Sequence, residues 1–71
     1  MNRTRVQSSN LVSIGYDPGN KILEVEFHTG AVYQYFDVPE YIYSDLLAAV
    51  SVGRYFEVYV KRAGFRYRKI K

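Results

Sequence analysis

Hydrophobic and polar positions alternate with a period of two in three successive stretches: Leu11–Tyr16, Lys21–Phe27 and Ala31–Phe36. That spacing predicts strands with one buried face and one wet face. The clearest is Lys21–Phe27, in which Leu23, Val25 and Phe27 interleave with Glu24 and Glu26. Asp17-Pro18-Gly19-Asn20 separates the first two stretches. Pro18 presets φ at the second position of a turn, and Gly19 suits the positive φ that a type II turn needs at the third. His28-Thr29-Gly30 separates the next pair and predicts a type I turn with Gly30 as the left-handed residue of a bulge. Both links are short enough for hairpins, so the three strands form an antiparallel meander.

The turns also predict a register. With Gly30 in the bulge, Phe27 faces Ala31, Val25 faces Tyr33 and Leu23 faces Tyr35. A tight first turn pairs Tyr16 with Lys21, Ile14 with Leu23 and Val12 with Val25. A slip of one residue would turn every side chain over, and this choice gathers Val12, Ile14, Tyr16, Leu23, Val25, Phe27, Tyr33 and Tyr35 on one face. The other face carries Ser13, Gly15, Glu24, Glu26 and Gln34, together with a minority of apolar residues: Leu11, Ile22, Val32 and Phe36.

After the strands the period changes to that of a helix. Pro39 suits the first helical position and Glu40 the positive end of the dipole. From there to about Val50, Ile42, Leu46, Ala49 and Val50, helped by Tyr43, form an apolar stripe able to cover the sheet. Ser51 caps a second helix from about Gly53 to Arg62, whose Phe56, Tyr59, Val60 and Ala63 complete the core, and Gly64 ends it. Phe65–Ile70 alternates ring or aliphatic with cation, as a short edge strand or extended tail would. The expected fold is α+β: a three-stranded antiparallel meander covered on one face by two C-terminal helices, with a short edge strand at the C-terminus. Residues 1–8, polar and aperiodic, are expected to be a flexible arm with Arg3 and Arg5 mobile, and residues 9–71 a single domain.

Charge changes this picture more than composition does. Ser51–Lys71 holds Arg54, Lys61, Arg62, Arg66, Arg68, Lys69 and Lys71 against Glu57 alone, whereas Leu11–Val50 is acidic; the whole chain is +3. A basic end interleaved with Tyr55, Phe56, Tyr59, Phe65 and Tyr67 suits a polyanion whose bases can stack. Seventy-one residues with no Cys must be held by packing alone, without a disulfide or a thiolate metal site. No apolar run approaches the ~18 residues of a membrane span and Met1–Asn10 lacks the apolar stretch of a signal peptide, so a cytoplasmic location without membrane contact is expected.

The order of these motifs resembles the KTSC domain, a family named for its occurrence at the C-terminus of some lysyl-tRNA synthetases. Ser8-Ser9, Gly15-Tyr16, Leu23–Phe27, Gly30, the Tyr-X-Tyr of Tyr33 and Tyr35, Val38-Pro39, Ser51–Phe56 and Phe65–Arg68 follow one another as they do in that family. The resemblance implies RNA binding, a role suggested by the attachment to a tRNA-charging enzyme. The family pattern has Asn after the Gly-Arg-Tyr-Phe segment, where this chain has Glu57, an acid that works against an anion contact there.

Catalysis is not expected. The single His28 lies in a turn, where a solvated residue is the simpler reading than a general base, and no second His makes a metal pair. Glu24 and Glu26, two apart on a strand, are the polar half of an alternating pattern rather than an acid/base dyad. No cofactor or metal is implied. The candidate nucleic-acid contacts are Arg54, Tyr55, Lys61, Arg62, Arg66, Tyr67, Arg68 and Lys69, with a phosphate site at Gly53-Arg54 where a helix begins. Tyr33 and Tyr35 could stack bases, but they share a face with Leu23 and Val25 and read first as core rings. The expected function is therefore a small basic module that binds RNA, single-stranded nucleic acid or another polyanion. The alternative is a protein-interaction or assembly domain that engages an acidic protein or a second copy of itself, since Tyr and Arg also favour protein interfaces.

Overall fold

The computed structural model describes Met1–Lys71, and its backbone forms a five-stranded antiparallel sheet in the order β1-β2-β3-β4-β5. The strands are β1 (Thr4–Arg5), β2 (Leu11–Asp17), β3 (Ile22–Phe27), β4 (Val32–Tyr35) and β5 (Tyr67–Lys69). The helices are α1 (Glu40–Ala48) and α2 (Val52–Phe56), and α2 runs on into a π-helical turn at Glu57–Lys61. The α+β class and the antiparallel central hairpins agree with the sequence, but the meander is not three-stranded. β5 at one edge is the C-terminal edge strand expected from the alternation of Phe65–Ile70, whereas β1 at the other edge is unexpected. No helix is long and apolar enough to cross a membrane.

The β3–β4 register is the one read from the turn, with Leu23 opposite Tyr35 and Val25 opposite Tyr33, and Gly30 has φ +93°. The β2–β3 register differs by two residues: Ile14 lies opposite Val25 and Tyr16 opposite Leu23. The loop between them is longer than the expected tight turn. The Asp17 carboxylate accepts from the Gly19 and Asn20 backbone N–H groups and from the Asn20 amide, which folds Pro18–Lys21 into a four-residue link. The positive φ falls on Lys21, at +55°, and not on Gly19. A shift of two preserves every face, so the expected core face survives with one change. A bulge between Leu11 and Ser13 carries Leu11 onto the core face, where it is 1% exposed, and leaves Val12 half-buried.

The core lies between that face and the helices. Ile14, Leu23, Val25 and Tyr35 from the sheet meet Ile42 and Leu46 of α1 and Val52, Phe56 and Val60 of the second helical segment. The last three recur every fourth residue, which in an α-helix would rotate the stripe by roughly 40° per turn. Widening into a π turn at Glu57–Lys61, closed by the Arg62 N–H donating to the Glu57 carbonyl, keeps Phe56 and Val60 aimed at the sheet. Tyr59 and Ala63, expected in the core, point to solvent instead. α1 ends at Ala48 and leaves Val50 fully exposed, which frees Ser51 to cap α2 by accepting from the Arg54 N–H at 3.3 Å.

The reverse face of the sheet is covered by the chain's own N-terminus. Residues expected to be loose are tied down: β1 pairs with β2, and the Arg3 guanidinium donates to Glu24 Oε2 at 2.6 Å. Gln34 donates to the other Glu24 oxygen at 2.9 Å, and Ser13 donates to Glu26 at 2.8 Å. Glu24 is therefore buried with both oxygens satisfied. Gly15 permits the crossing, because a Cβ there would sit 2.6 Å from the Asn2 carbonyl oxygen.

Candidate functional site

The helices do not cover the whole of the sheet face on which they lie. Toward β5 the face is open, and an 840 Å³ cleft lies there. Its floor is aromatic: Phe27, Tyr33 and Tyr35 from the strands, Phe56 from α2 and Tyr67 from β5. The rings are packed in a chain of contacts. Phe27 meets Tyr33 edge-on at 5.7 Å, Tyr33 stacks on Tyr35 at 6.3 Å, and Tyr67 lies 5.9 and 5.7 Å from Tyr33 and Tyr35. Tyr35 is buried and Tyr33 half-buried, yet Tyr67 is 63% exposed. Tyr33 and Tyr35 thus serve the core on one side and line the cleft on the other.

Register explains which cations stand here. Tyr67 lies opposite Tyr35 and Lys69 opposite Tyr33, so both leave β5 on the cleft side of the sheet. Arg68 lies opposite Gln34 and leaves on the reverse face. The π turn supplies the far wall, with Glu57 and Lys61 both lining the cleft and 4.0 Å apart. Arg62, next along, approaches Glu57 at 3.6 Å.

The remaining candidates are elsewhere. Arg66 donates to Asp37 at 3.3 Å and lies 5.4 Å from the centre of the Phe36 ring, on the outer edge of the sheet. Arg54 is exposed at the start of α2 and does not line the cleft. The Tyr55 hydroxyl donates to Asp45 at 2.8 Å and its ring packs on Tyr59 at 4.5 Å, which ties α2 to α1 on the outside of the helical layer. The linear cluster of cations is thus divided among three surfaces; Lys61 and Tyr67 line the cleft, and Lys69 lies beyond its lining on the same face of β5 as Tyr67.

Several lining residues were not legible as site residues. Phe27 and Phe56 read as core, and His28 as a solvated turn residue. His28 is exposed, but its Nε2–H donates to the Ser8 carbonyl at 3.0 Å and its ring stands at the end of the cleft. Ser8 organises that end. Its hydroxyl accepts from the Asn10 and Leu11 N–H groups, and it lies against Gly53, where a Cβ would approach Ser8 Oγ to 3.2 Å. The Ser8-Ser9 and Gly53 signals in the sequence are two sides of this one contact, but nothing short of the fold pairs them.

Three phenols are displaced upward from the ordinary value near 10, Tyr16 among them by loss of solvation, reinforced by the nearby Glu40 and Asp17 carboxylates. Burial, reinforced by the neighbouring Tyr33 and Tyr67, pushes Tyr35 up to about 12. Loss of solvation, followed by the hydrogen bond to Asp45, does the same to Tyr55. Both shifts favour the neutral form in the folded chain, so their stabilisation is complete below about pH 10 and is lost as pH rises toward 12. An ultraviolet titration of the eight tyrosines should show three ionising later than ordinary phenols, Tyr35 and Tyr55 among them together with loss of structure. Eight phenols titrating reversibly near pH 10 would contradict this assignment.

Comparison with known proteins agrees with this architecture. The KTSC domain profile matches residues 7–67. The chain is 49% identical to an uncharacterized protein of Stutzerimonas stutzeri over 99% of each. It is 33% identical to a lysine–tRNA ligase of a Nostoc species, where the match takes in 90% of this chain but 11% of that enzyme. The crystal structure of a KTSC domain protein from Yersinia pestis superposes with a TM-score of 0.93 at 44% identity, covering 99% of this chain and 97% of that one. With the profile spanning most of the sequence and the fold shared from end to end, the chain belongs to the KTSC domain family.

Proposed function

We propose that this protein is a binding module for single-stranded nucleic acid, RNA foremost, and that the cleft beside β5 is where the strand lies. The observation that carries the reading is the exposed Tyr67 ring, set against Tyr33 and Tyr35, with Lys61 in the cleft wall and Lys69 two residues along the same face of β5. Flat rings on an uncovered sheet face accept bases without regard to pairing, and cations at the margin accept the phosphates. The lysine–tRNA ligases that carry a related segment act on tRNA by their name, which supports RNA over DNA.

A labelled eight-nucleotide RNA, followed by fluorescence anisotropy across a salt series, tests this. Contact with about four phosphates gives a slope of log affinity against log salt near −3, from about −0.7 per phosphate. Lys61→Glu with Lys69→Glu should flatten the slope by about 1.4. Tyr67→Ala should cost about 1–3 kcal/mol of affinity through lost stacking. Arg54→Glu and Arg68→Glu, on other surfaces, should change the slope much less. No binding at low salt ends the proposal.

A second reading has its own support on the helical layer, where Tyr41, Leu47, Val50, Val58 and Tyr59 are exposed large hydrophobic residues. Such residues fit an assembly surface for a protein partner or a second copy. Light scattering across a concentration series reports whether copies associate, and loss of association in Tyr59→Ser would place the contact there.

A further inference from the structure

The cleft holds one carboxylate among its thirteen lining residues, Glu57, and it stands in the wall above an otherwise aromatic floor. Its two nearest cations are at a distance: Lys61 at 4.0 Å and Arg62 at 3.6 Å, neither close enough to hydrogen-bond. The two cations thus outweigh the carboxylate in charge, while both of its oxygens remain open to a donor. Its side chain is 44% exposed. A negative group in a site meant only for phosphates would be a handicap. In a site where bases stack on the floor, an acceptor in the wall reads the edge of the base.

Resting on the nucleic-acid reading above, we infer that Glu57 is a specificity-determining residue that selects a guanine base in the cleft. The chemistry is one of donor pattern. A carboxylate offers two oxygens and accepts a pair of parallel N–H groups in bidentate fashion. Guanine presents such a pair, N1–H and the exocyclic N2 amine, side by side on its Watson–Crick edge. Cytosine and adenine each present one exocyclic amine there. Uracil places its single N3–H between two carbonyl oxygens, which face a carboxylate unfavourably. The expected order is guanine first, adenine and cytosine next, uracil last. Lys61, adjacent to Glu57 on the same π turn, remains free to meet the phosphate of the selected nucleotide.

The test uses the intact protein and labelled RNA octamers of uridine that carry, at one central position, guanosine, inosine, adenosine, cytidine or uridine. The parent protein should bind the guanosine octamer about tenfold more tightly than the all-uridine one, on the scale of one good bidentate base contact. Inosine keeps N1–H but lacks the N2 amine, so it should lose most of that gain. In Glu57→Gln the guanosine preference should fall to about twofold or less, while affinity for the all-uridine octamer stays level or rises as a negative charge is removed. Inosine is read on the parent protein, so the inference does not depend on the variant folding. Equal affinity for the guanosine and uridine octamers, or a preference that survives in Glu57→Gln, overturns the role of Glu57 and leaves the module a sequence-tolerant binder. Failure of every octamer to bind overturns the nucleic-acid reading and this inference with it.

Discussion

Tyr35→Ala should lower the stability of the folded chain by about 3–5 kcal/mol, the scale for removing a large aromatic from a core. A chain of this size has roughly 4–10 kcal/mol in total, at about 0.05–0.15 kcal/mol per residue, so the variant should be largely or wholly unfolded near body temperature. The ring is buried between the core and the cleft, 6% exposed. Tyr33 stacks on one side, Phe56 meets it edge-on at 5.6 Å, and Tyr67 rests against it at 5.7 Å. Tyr35→Phe keeps all three contacts and should melt within a few degrees of the parent. Tyr33→Ala, at a half-buried ring, should cost about 2 kcal/mol, less than Tyr35→Ala because the open cleft already hydrates one side. Thermal melts followed by circular dichroism order the three variants. A Tyr35→Ala protein that melts like its parent yet no longer binds RNA would show that the ring is a stacking platform and not core.

Arg3→Ala should cost about 2 kcal/mol, an unusual sum for a residue three positions from the N-terminus. The reason is on the other side of the contact: Glu24 is 7% exposed, and without Arg3 one of its oxygens loses a charge-assisted hydrogen bond. Arg5, exposed on the adjoining β1, should be replaceable by Ala at less than about 0.5 kcal/mol. Gly15→Ala attacks the same contact from below, since its Cβ would collide with the Asn2 carbonyl and lift the arm from the sheet. Once the arm has been lifted, Arg3 has little left to lose. The double variant should therefore be less destabilised than the sum of the two singles, and a double-mutant cycle by urea denaturation measures the difference. Additive costs would mean that the arm and Glu24 are not coupled.

The two faces of the hairpins were legible because burial imposes a period on the sequence. Leu23, Val25 and Phe27 could be assigned to the core without knowledge of their partners. The β3–β4 register followed as well, because Gly30 restricts its turn to few geometries. At the first hairpin the same reasoning missed by two residues. Alternation cannot distinguish registers that differ by two, and the Asp17 carboxylate, by capping two N–H groups, selected a four-residue loop that φ preferences alone did not reveal. The bulge that brings Leu11 inward breaks the period and so was invisible to it.

β1 shows the opposite case, in which there was no pattern to read. Thr4 and Arg5 are both exposed, so neither carries the mark of a buried position, and the strand exists because the free edge of β2 supplies backbone partners. The cleft likewise had half a signal. Tyr67 and Lys69 were singled out by their alternation and Lys61 by its charge. Phe56 and Phe27 had been assigned to the core, and His28 to solvent.

The sequence by itself determined the α+β class, the buried face of each central strand, the two helices and the basic, ring-rich C-terminal end. These are properties of neighbours along the chain, and period, turn chemistry and charge report them directly. Tertiary structure alone decided which of those cations share a surface. β5 pairs with β4, which sends Tyr67 and Lys69 to one face and Arg68 to the other, and the π turn brings Lys61 and Glu57 to the wall beside them. Strand alternation and helix rotation separate residues that are adjacent in sequence and join residues that are far apart, so a cluster of charge along the chain does not fix a patch of charge in space.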